Sequence, residues 1–297
     1  AINYFWNYFL VLITLGMMWS LLHYLPNKES YDIGYGQSHM IPTPFKNDHI
    51  RFSLAVVFSI FVALERFQKE TNKWIKGFCS GFLFLSIVYL HILSSKTGLL
   101  LFYGISFVWI IRYLFSSRNK MVAFLLLITM LVLPYIMYNT SATFRNKIGY
   151  VRYSIEQMKN QTKQANISDE GRLISYTYAI KTIQKNPVFG VGLGDVFQKM
   201  SLLYYQNFPN QKVKVLLPHN QFLMAGMAGG IIAIGLLLAL LFFIYEQVRH
   251  HSFLVHSFFV SMLFAMMVEP LFETQYGSCM FLFFLLLLLQ QEKDAHT

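Results

Sequence analysis

The chain has 297 residues, of which 55% are hydrophobic and only 13% are charged, with a formal net charge of +10. Soluble domains usually carry about 25% charged residues, so this composition excludes a water-soluble globule. The apolar runs are long enough to cross a bilayer as helices, and they lack the alternating segments of about 10 residues that mark a transmembrane barrel. The predicted fold class is therefore all-α, a polytopic transmembrane helical bundle. Two cysteines, Cys79 and Cys279, lie in apolar segments, which argues against a disulfide framework and a thiolate metal site.

About eight membrane-spanning helices are predicted, at residues 2–25, 49–65, 77–94, 98–115, 121–138, 220–244, 252–269 and 276–290. They divide the chain into three parts: residues 1–138 with the first five helices and a loop at 26–48, residues 139–218 as one large polar loop, and residues 219–297 with the last three helices and a short tail. Because the first residue is Ala and no cleavable signal is evident, we expect further residues before Ala1.

The Lys and Arg residues of the short loops predict the orientation of the bundle. If the amino end is cytoplasmic, the inner short loops carry more basic residues than the outer ones, as the positive-inside rule requires. The large loop then lies outside, and long loops are translocated largely regardless of charge. We therefore predict a multi-pass protein of the bacterial inner (cytoplasmic) membrane, with loops 26–48 and 139–218 in the periplasm and the carboxyl tail in the cytoplasm.

The large loop carries local signals of folded helices. Ser168 or Asp169 can cap a helix whose apolar residues recur at helical spacing, and Pro187 should follow its end. The sequence GVGLG at 190–194 lacks the strand and the spacing of a dinucleotide fingerprint, so it predicts a tight turn. A second amphipathic helix is predicted over residues 195–206.

The same loop holds many more Lys and Arg residues than acidic ones. This excess predicts an anionic partner on the outer face. Two kinds of partner stay open. One is the anionic headgroups of membrane lipids. The other is a phosphate-bearing substrate held by specific cations, for which arginine offers a planar bidentate fork.

The sequence SSKTG at 94–98 is a polar segment between two apolar spans. One interpretation is a tight interhelical turn in which the Lys96 ammonium reaches the lipid headgroups. The other is a phosphate cradle, because three hydroxyl residues, among them Ser95, flank a cation at the start of a helix.

His219 follows Pro218 directly before the predicted sixth span. The amino end of a helix disfavours an imidazolium ion and favours the neutral ring, which is the form that a general base needs. Neither a second His nor a carboxylate lies at metal-ligand spacing, so no zinc site is predicted. The neighbouring Asn220 is a candidate for orienting the ring or for binding a sugar hydroxyl.

Taken in order, several of these features resemble the O-antigen ligase and polymerase superfamily of membrane glycosyltransferases. The resemblance covers roughly residues 77–290. It rests on Ser-Lys-Thr-Gly at 95–98, a large external loop with Gly-Arg at 171–172 and Asn-Pro-x-x-Gly-x-Gly at 186–192, and His-Asn at 219–220 followed by glycines as the next helix begins.

This resemblance implies a periplasmic active site that moves a glycan from a polyprenyl-diphosphate donor to an acceptor sugar hydroxyl, with inversion and without a metal or other cofactor. Arg172 would bind the donor diphosphate and His219 would be the general base. Lys96 stands where the family has a second diphosphate-binding arginine, and lysine keeps the charge but loses the bidentate fork. Further candidates for substrate binding are Asn220, Ser95, Arg145 and Tyr176.

Several functions remain open from the sequence. An O-antigen ligase would use a lipid A core sugar as acceptor and a polymerase another polyprenyl-linked chain; no residue separates them, and we favour the ligase. A polysaccharide exporter or flippase would place charges along a central pathway. The buried-charge candidates instead lie near span ends, namely Arg51, Glu65, Arg112, Glu269 and Glu273. A non-enzymatic scaffold with a lipid-binding loop is a third reading. Expected partners are the lipid-linked donor, the glycan acceptor and membrane lipids, but not nucleic acid.

Overall fold

The computed structural model describes residues 2–36, 39–44, 48–116, 119–159, 168–209 and 214–296. Throughout these ranges the regular structure is helical, and no strand is present. The chain divides into two compact units, residues 1–152 and 153–297. The predicted all-helical fold is therefore confirmed for the part of the chain that the structure describes.

The first unit is built from long helices and one short one. They are α1 (Ile2–Tyr24), α2 (Lys28–Tyr35), α3 (His49–Lys69), α4 (Lys73–Leu93), α5 (Lys96–Ser116), α6 (Lys120–Thr140) and the first part of α7 (Ala142–Lys159). Side-chain caps begin two of them, because the Asp48 carboxylate accepts from the Arg51 N–H at 3.0 Å and the Asn72 side chain accepts from the Trp74 N–H at 2.9 Å.

Helix α3 is the core of the first unit. Every residue from Phe52 to Ala63 is buried, so this helix is enclosed on all sides rather than along a single stripe. A helix that is apolar all round is stable only when other helices or lipid surround it. Here α1, α4 and α5 pack against α3.

The second unit contains the remainder of α7 and the helices α8 (Ser168–Lys185), α9 (Val196–Asn207), α10 (Gln221–Val248), α11 (Phe253–Val268) and α12 (Gln275–His296). Helices α8 and α9 confirm the two helices predicted in the large loop. One hydrophobic cluster joins α8, α9 and the start of α10, and its buried members are Tyr178, Ala179, Val196, Met200, Tyr204, Phe208, Met224 and Met227. This cluster holds α8 beside the first turns of α10.

Five helical segments among the described residues are long and apolar enough to cross a membrane: Tyr4–Tyr35, Lys73–Leu93, Lys96–Ser116, Lys120–Thr140 and Gln221–Val248. They coincide with five of the predicted spans, and the protein is membrane-embedded. The predicted spans at 49–65, 252–269 and 276–290 also lie in helices, of which the last two are shorter apolar ones. Membrane crossing by these three, and the periplasmic side of the loops, stay predictions.

Helix α10 is broken near its start. Gly229 and Gly230 have non-helical backbone angles, with φ of −140° and +63°. The turn that follows α8 docks on this break and takes over the hydrogen bonds that the helix loses there. The bonds run from the Val191 N–H to the Met227 carbonyl (2.7 Å), from the Gly192 N–H to the Ala228 carbonyl (3.0 Å) and from the Ile231 N–H to the Pro187 carbonyl (2.8 Å).

Two glycines make this close approach of backbones feasible. Gly190 and Gly230 both have positive φ, 64° and 63°, a region that other residues rarely adopt. A Cβ on Gly190 would overlap the Met227 carbonyl oxygen, and a Cβ on Gly230 would overlap the Val188 carbonyl. The glycine turn predicted from GVGLG is thus confirmed, and it serves to dock one backbone segment on another.

Candidate active site

His219 is positioned by the cap of α10. The Asn220 side-chain oxygen accepts a hydrogen bond from the Leu223 N–H at 2.9 Å, so Asn220 is the N-cap of this helix. The residue before the cap is His219, whose ring therefore lies just outside the amino end of α10. This is the location predicted for it from the sequence.

The same cap holds the turn between α11 and α12 next to His219. The Asn220 amide donates to the Met267 carbonyl at 3.0 Å, and the buried Gln221 side chain accepts from the Phe272 N–H at 2.7 Å. Glu269 lies between these two anchors, directly after the end of α11. Its carboxylate oxygens both lie 3.2 Å from Nδ1 of His219.

Arg172 and Tyr176 reach this pair from α8. They are four residues apart, which places them on the same face of the helix. The Arg172 guanidinium lies 3.6 Å from one oxygen of Glu269. The Tyr176 hydroxyl donates to the backbone carbonyl of His219 at 2.6 Å. Burial raises the pKa of Tyr176, Arg172 lowers it and Glu269 raises it, with a net increase, so the hydroxyl keeps its proton for this bond near neutral pH.

The three ionisable groups remain open to a substrate. The side chains of Arg172 and His219 are 31% and 29% exposed, while Glu269 behind them is 15% exposed. An ionised carboxylate only accepts hydrogen bonds, so in the neutral ring Nδ1 carries the hydrogen and Nε2 keeps its lone pair. The arrangement can accept a proton at Nε2, stabilise the resulting imidazolium and attract an anion through Arg172.

The remaining predicted site residues belong to the first unit. Lys96 begins α5, and its ammonium lies 5.8 Å from the ring centre of Tyr150. The buried ammonium of Lys147 lies 5.1 Å from the same ring, a neighbour that the sequence did not single out. Arg145 is exposed on α7.

The hydroxyl groups of the SSKTG segment face the protein. Ser95 is buried, and its hydroxyl lies 3.0 Å from that of Ser53. Ser94 follows the last residue of α4 and has a left-handed backbone, and its hydroxyl donates to the His91 carbonyl at 2.5 Å. Thr97 is also buried. This geometry favours the tight interhelical turn over a cradle built from these hydroxyls.

Glu269 is the member of the constellation that the sequence did not connect to the others. It was recognised as an acidic residue near the end of a span, but no sequence signal joins it to a histidine fifty residues earlier. The available signal was its position before Pro270, which marks a turn next to the membrane edge. Within the described ranges, no group of three or more His, Cys, Asp and Glu side chains could hold a metal ion.

The chain is similar to a known protein family. The family model described as O-antigen ligase matches residues 81–240, a stretch that contains Lys96, Arg172 and His219 but not Glu269. No curated protein matches the chain significantly.

Proposed function

This chain belongs to the O-antigen ligase family, and on that basis we propose that it is an inverting, metal-independent membrane glycosyltransferase. It moves a glycan from a polyprenyl-diphosphate donor to a sugar hydroxyl of an acceptor. The observation that carries the proposal is the contact of His219 Nδ1 with both oxygens of Glu269 at 3.2 Å, beside the Arg172 guanidinium. A histidine held in this way is equipped to act as a general base.

The reaction is a single displacement. Nε2 of His219 takes the proton of the acceptor hydroxyl while the hydroxyl oxygen forms a bond to the anomeric carbon of the donor sugar. The bond from that carbon to the diphosphate oxygen breaks, and the lipid diphosphate leaves with the electron pair. Glu269 stabilises the imidazolium ion that forms. General-base assistance of this kind contributes about 10²–10⁴-fold to a rate.

Arg172 stabilises the charge that develops on the leaving diphosphate. A guanidinium has five N–H donors, so Arg172 can keep its contact with Glu269 and still present a fork to a phosphate. Such preorganised cations act most strongly where charge appears in the transition state. Lys96 remains the second diphosphate-binding residue that the family resemblance predicts.

We assign the active site to the periplasmic face of the bacterial inner membrane, where the external loop 139–218 would carry Arg172 and Tyr176. The acceptor is proposed to be a lipid A core sugar, which makes the protein a ligase. An O-antigen or exopolysaccharide polymerase of the same superfamily is the alternative, because only the acceptor differs. The lipid-linked glycan that the family implies is common to both.

The test is complementation of two null strains of the source organism, one lacking this gene and one lacking its O-antigen polymerase, read by lipopolysaccharide gels. Restoration of capped bands in the first indicates a ligase, and restoration of long chains from a single-repeat band in the second indicates a polymerase. His219→Ala should abolish either signal by removing the base, while immunoblots of membranes show the variant at its normal level.

His250→Ala is the matched control for this test, because His250 is exposed in the turn that follows the far end of α10. It should complement like the unchanged protein. Wild-type transfer by His219→Ala would remove the base assignment. Arg172→Ala should strongly weaken use of the donor, and full activity of that variant would remove the diphosphate role.

A further inference from the structure

An exposed apolar surface lies on the turn that joins α8 to α9. Its members are Val188, Phe189 and Leu193 of the turn together with Phe197 at the start of α9, and we call these four residues the apolar turn. Phe189 is 75% exposed, the highest value of the four. Four large apolar side chains within ten residues of a connecting turn are unusual on a water-facing surface, because exposed patches of this kind mark protein or membrane contacts.

The position of this turn along α10 indicates what covers it. The turn is bonded to the break in α10 through Val191, Gly192 and Ile231. Beyond the break, α10 continues from Ile231 to Val248, a segment about 27 Å long at 1.5 Å per residue. That length nearly matches the hydrocarbon core of a bilayer, about 30 Å. A span from Ile231 to Val248 would place the break, and the turn docked on it, at one boundary of the membrane, inside the longer candidate span Gln221–Val248.

The apolar surface continues from the turn onto the membrane-spanning helix. Ile231, Ile232 and Leu236 are exposed on α10 directly after the break. A segment bonded to the end of a membrane span, with exposed apolar residues continuing along that span, shares the environment of the span. With the membrane boundary at the break, the environment of the turn would be lipid.

Basic residues lie on the helix that leads into the turn. Lys181 and Lys185 are exposed on the last turns of α8, just before Pro187. Lysine side chains at a membrane boundary extend their ammonium groups to the headgroups, where an anionic surface attracts them. Basic residues beside an inserted apolar tip are the pattern of an interfacial anchor.

We propose that the apolar turn inserts into the boundary between headgroups and acyl chains of an anionic bilayer and anchors the second unit there. This anchor would bear on the distance between the candidate site and the lipid surface. Arg172 lies thirteen residues before the end of α8, about 20 Å along that helix. His219 lies eleven residues before the break in α10, about 16 Å along the chain at helical rise. Helix α8 ends at the anchored turn and the segment 219–230 ends at the break on which the turn docks, so the anchor restrains the position of the site relative to the lipid surface.

The experiment measures immersion with a nitroxide label in vesicles of phosphatidylethanolamine and phosphatidylglycerol. Phe189→Cys is labelled in a background with Cys79→Ala and Cys279→Ser, and Gln206→Cys, exposed at the other end of α9, is the matched control. The ratio of collision rates with oxygen and with a water-soluble nickel chelate should be several-fold higher at position 189 than at 206. Equal ratios place the turn in water, and shielding from both relaxants means that protein covers it; either result overturns the proposal.

A second measurement keeps both native cysteines. Benzoylphenylalanine is placed at position 189, or at position 206 as the control, of the otherwise unchanged chain. Each variant is irradiated in native membranes, and its adducts are identified by mass spectrometry. Phospholipid adducts at 189 but not at 206 are expected. Adducts to protein alone at 189 would overturn the anchor. Neither measurement depends on transfer activity, so the anchor and the proposed function can fail separately.

Discussion

Replacing Glu269 by Gln removes the negative charge opposite His219 while it keeps the size of the side chain. Both carboxylate oxygens lie 3.2 Å from Nδ1, so they stabilise the imidazolium ion that forms when His219 takes the acceptor proton. Hydrogen bonds to charged groups contribute about 1.5–3 kcal/mol. The glutamine oxygen can still accept from Nδ1, and the 29% exposure of His219 screens the charge, so we expect about 1.5–2.5 kcal/mol.

This free energy corresponds to a loss of roughly 10- to 70-fold in kcat, since about 1.36 kcal/mol is a factor of ten. The contact strengthens only when the ring becomes charged, so kcat should fall while KM for the acceptor changes little. The assay is glycan transfer by the purified protein in proteoliposomes, with a synthetic polyprenyl-diphosphate donor and variable acceptor. The fall should be smaller than that of His219→Ala, which loses the base itself.

Glu273→Gln is the control for this substitution, because Glu273 is an exposed carboxylate four residues further along the same turn. It should retain normal kcat. An unchanged kcat for Glu269→Gln would refute the idea that this carboxylate supports the base. A rise in KM with constant kcat would also contradict it, because it would assign Glu269 to ground-state binding.

Three further substitutions test the framework of the site. Gly190→Ala forces a side chain into a positive-φ position against the Met227 carbonyl, so the apparent unfolding temperature in detergent should fall by several degrees, whereas Gly194→Ala, in open space, should change it little. Asn220→Ala removes the cap of α10 and the amide bond to the next turn; a loss of about 2 kcal/mol should appear as a lower midpoint in the same measurement. Tyr176→Phe deletes one hydrogen bond to the His219 backbone, and transfer should slow by less than tenfold at about 1 kcal/mol.

Much of the second unit follows from local signals in the sequence. Helix α8 spans Ser168–Lys185, as the apolar spacing and the position of Pro187 predicted. The glycines at 190 and 192 have the positive φ that a tight turn requires. Such features depend on residues a few positions apart, because caps, proline and glycine act on the backbone next to them. The sequence could not indicate that this turn would dock on the break in α10.

The membrane spans show the same division. Apolar stretches such as Lys120–Thr140 could be recognised from composition, since the bilayer fixes the length that a span needs. The enclosure of α3 could not, because burial from Phe52 to Ala63 depends on which helices pack around it. Ser95 was a candidate for substrate binding, but packing buries its hydroxyl against Ser53.

For the candidate site, the sequence by itself singled out His219 as a candidate base next to a helix start, and the family resemblance singled out Arg172 as a candidate cation. The structure added that Asn220, predicted to orient the ring or bind a sugar hydroxyl, is the N-cap of α10. Only the tertiary structure decided that Glu269 faces the histidine ring. That contact joins residues fifty positions apart, and it depends on hydrogen bonds from Asn220 and Gln221 to the backbone of a distant turn. A side chain's chemistry is encoded at its own position, whereas its partner is fixed by the packing of the helices that carry the two.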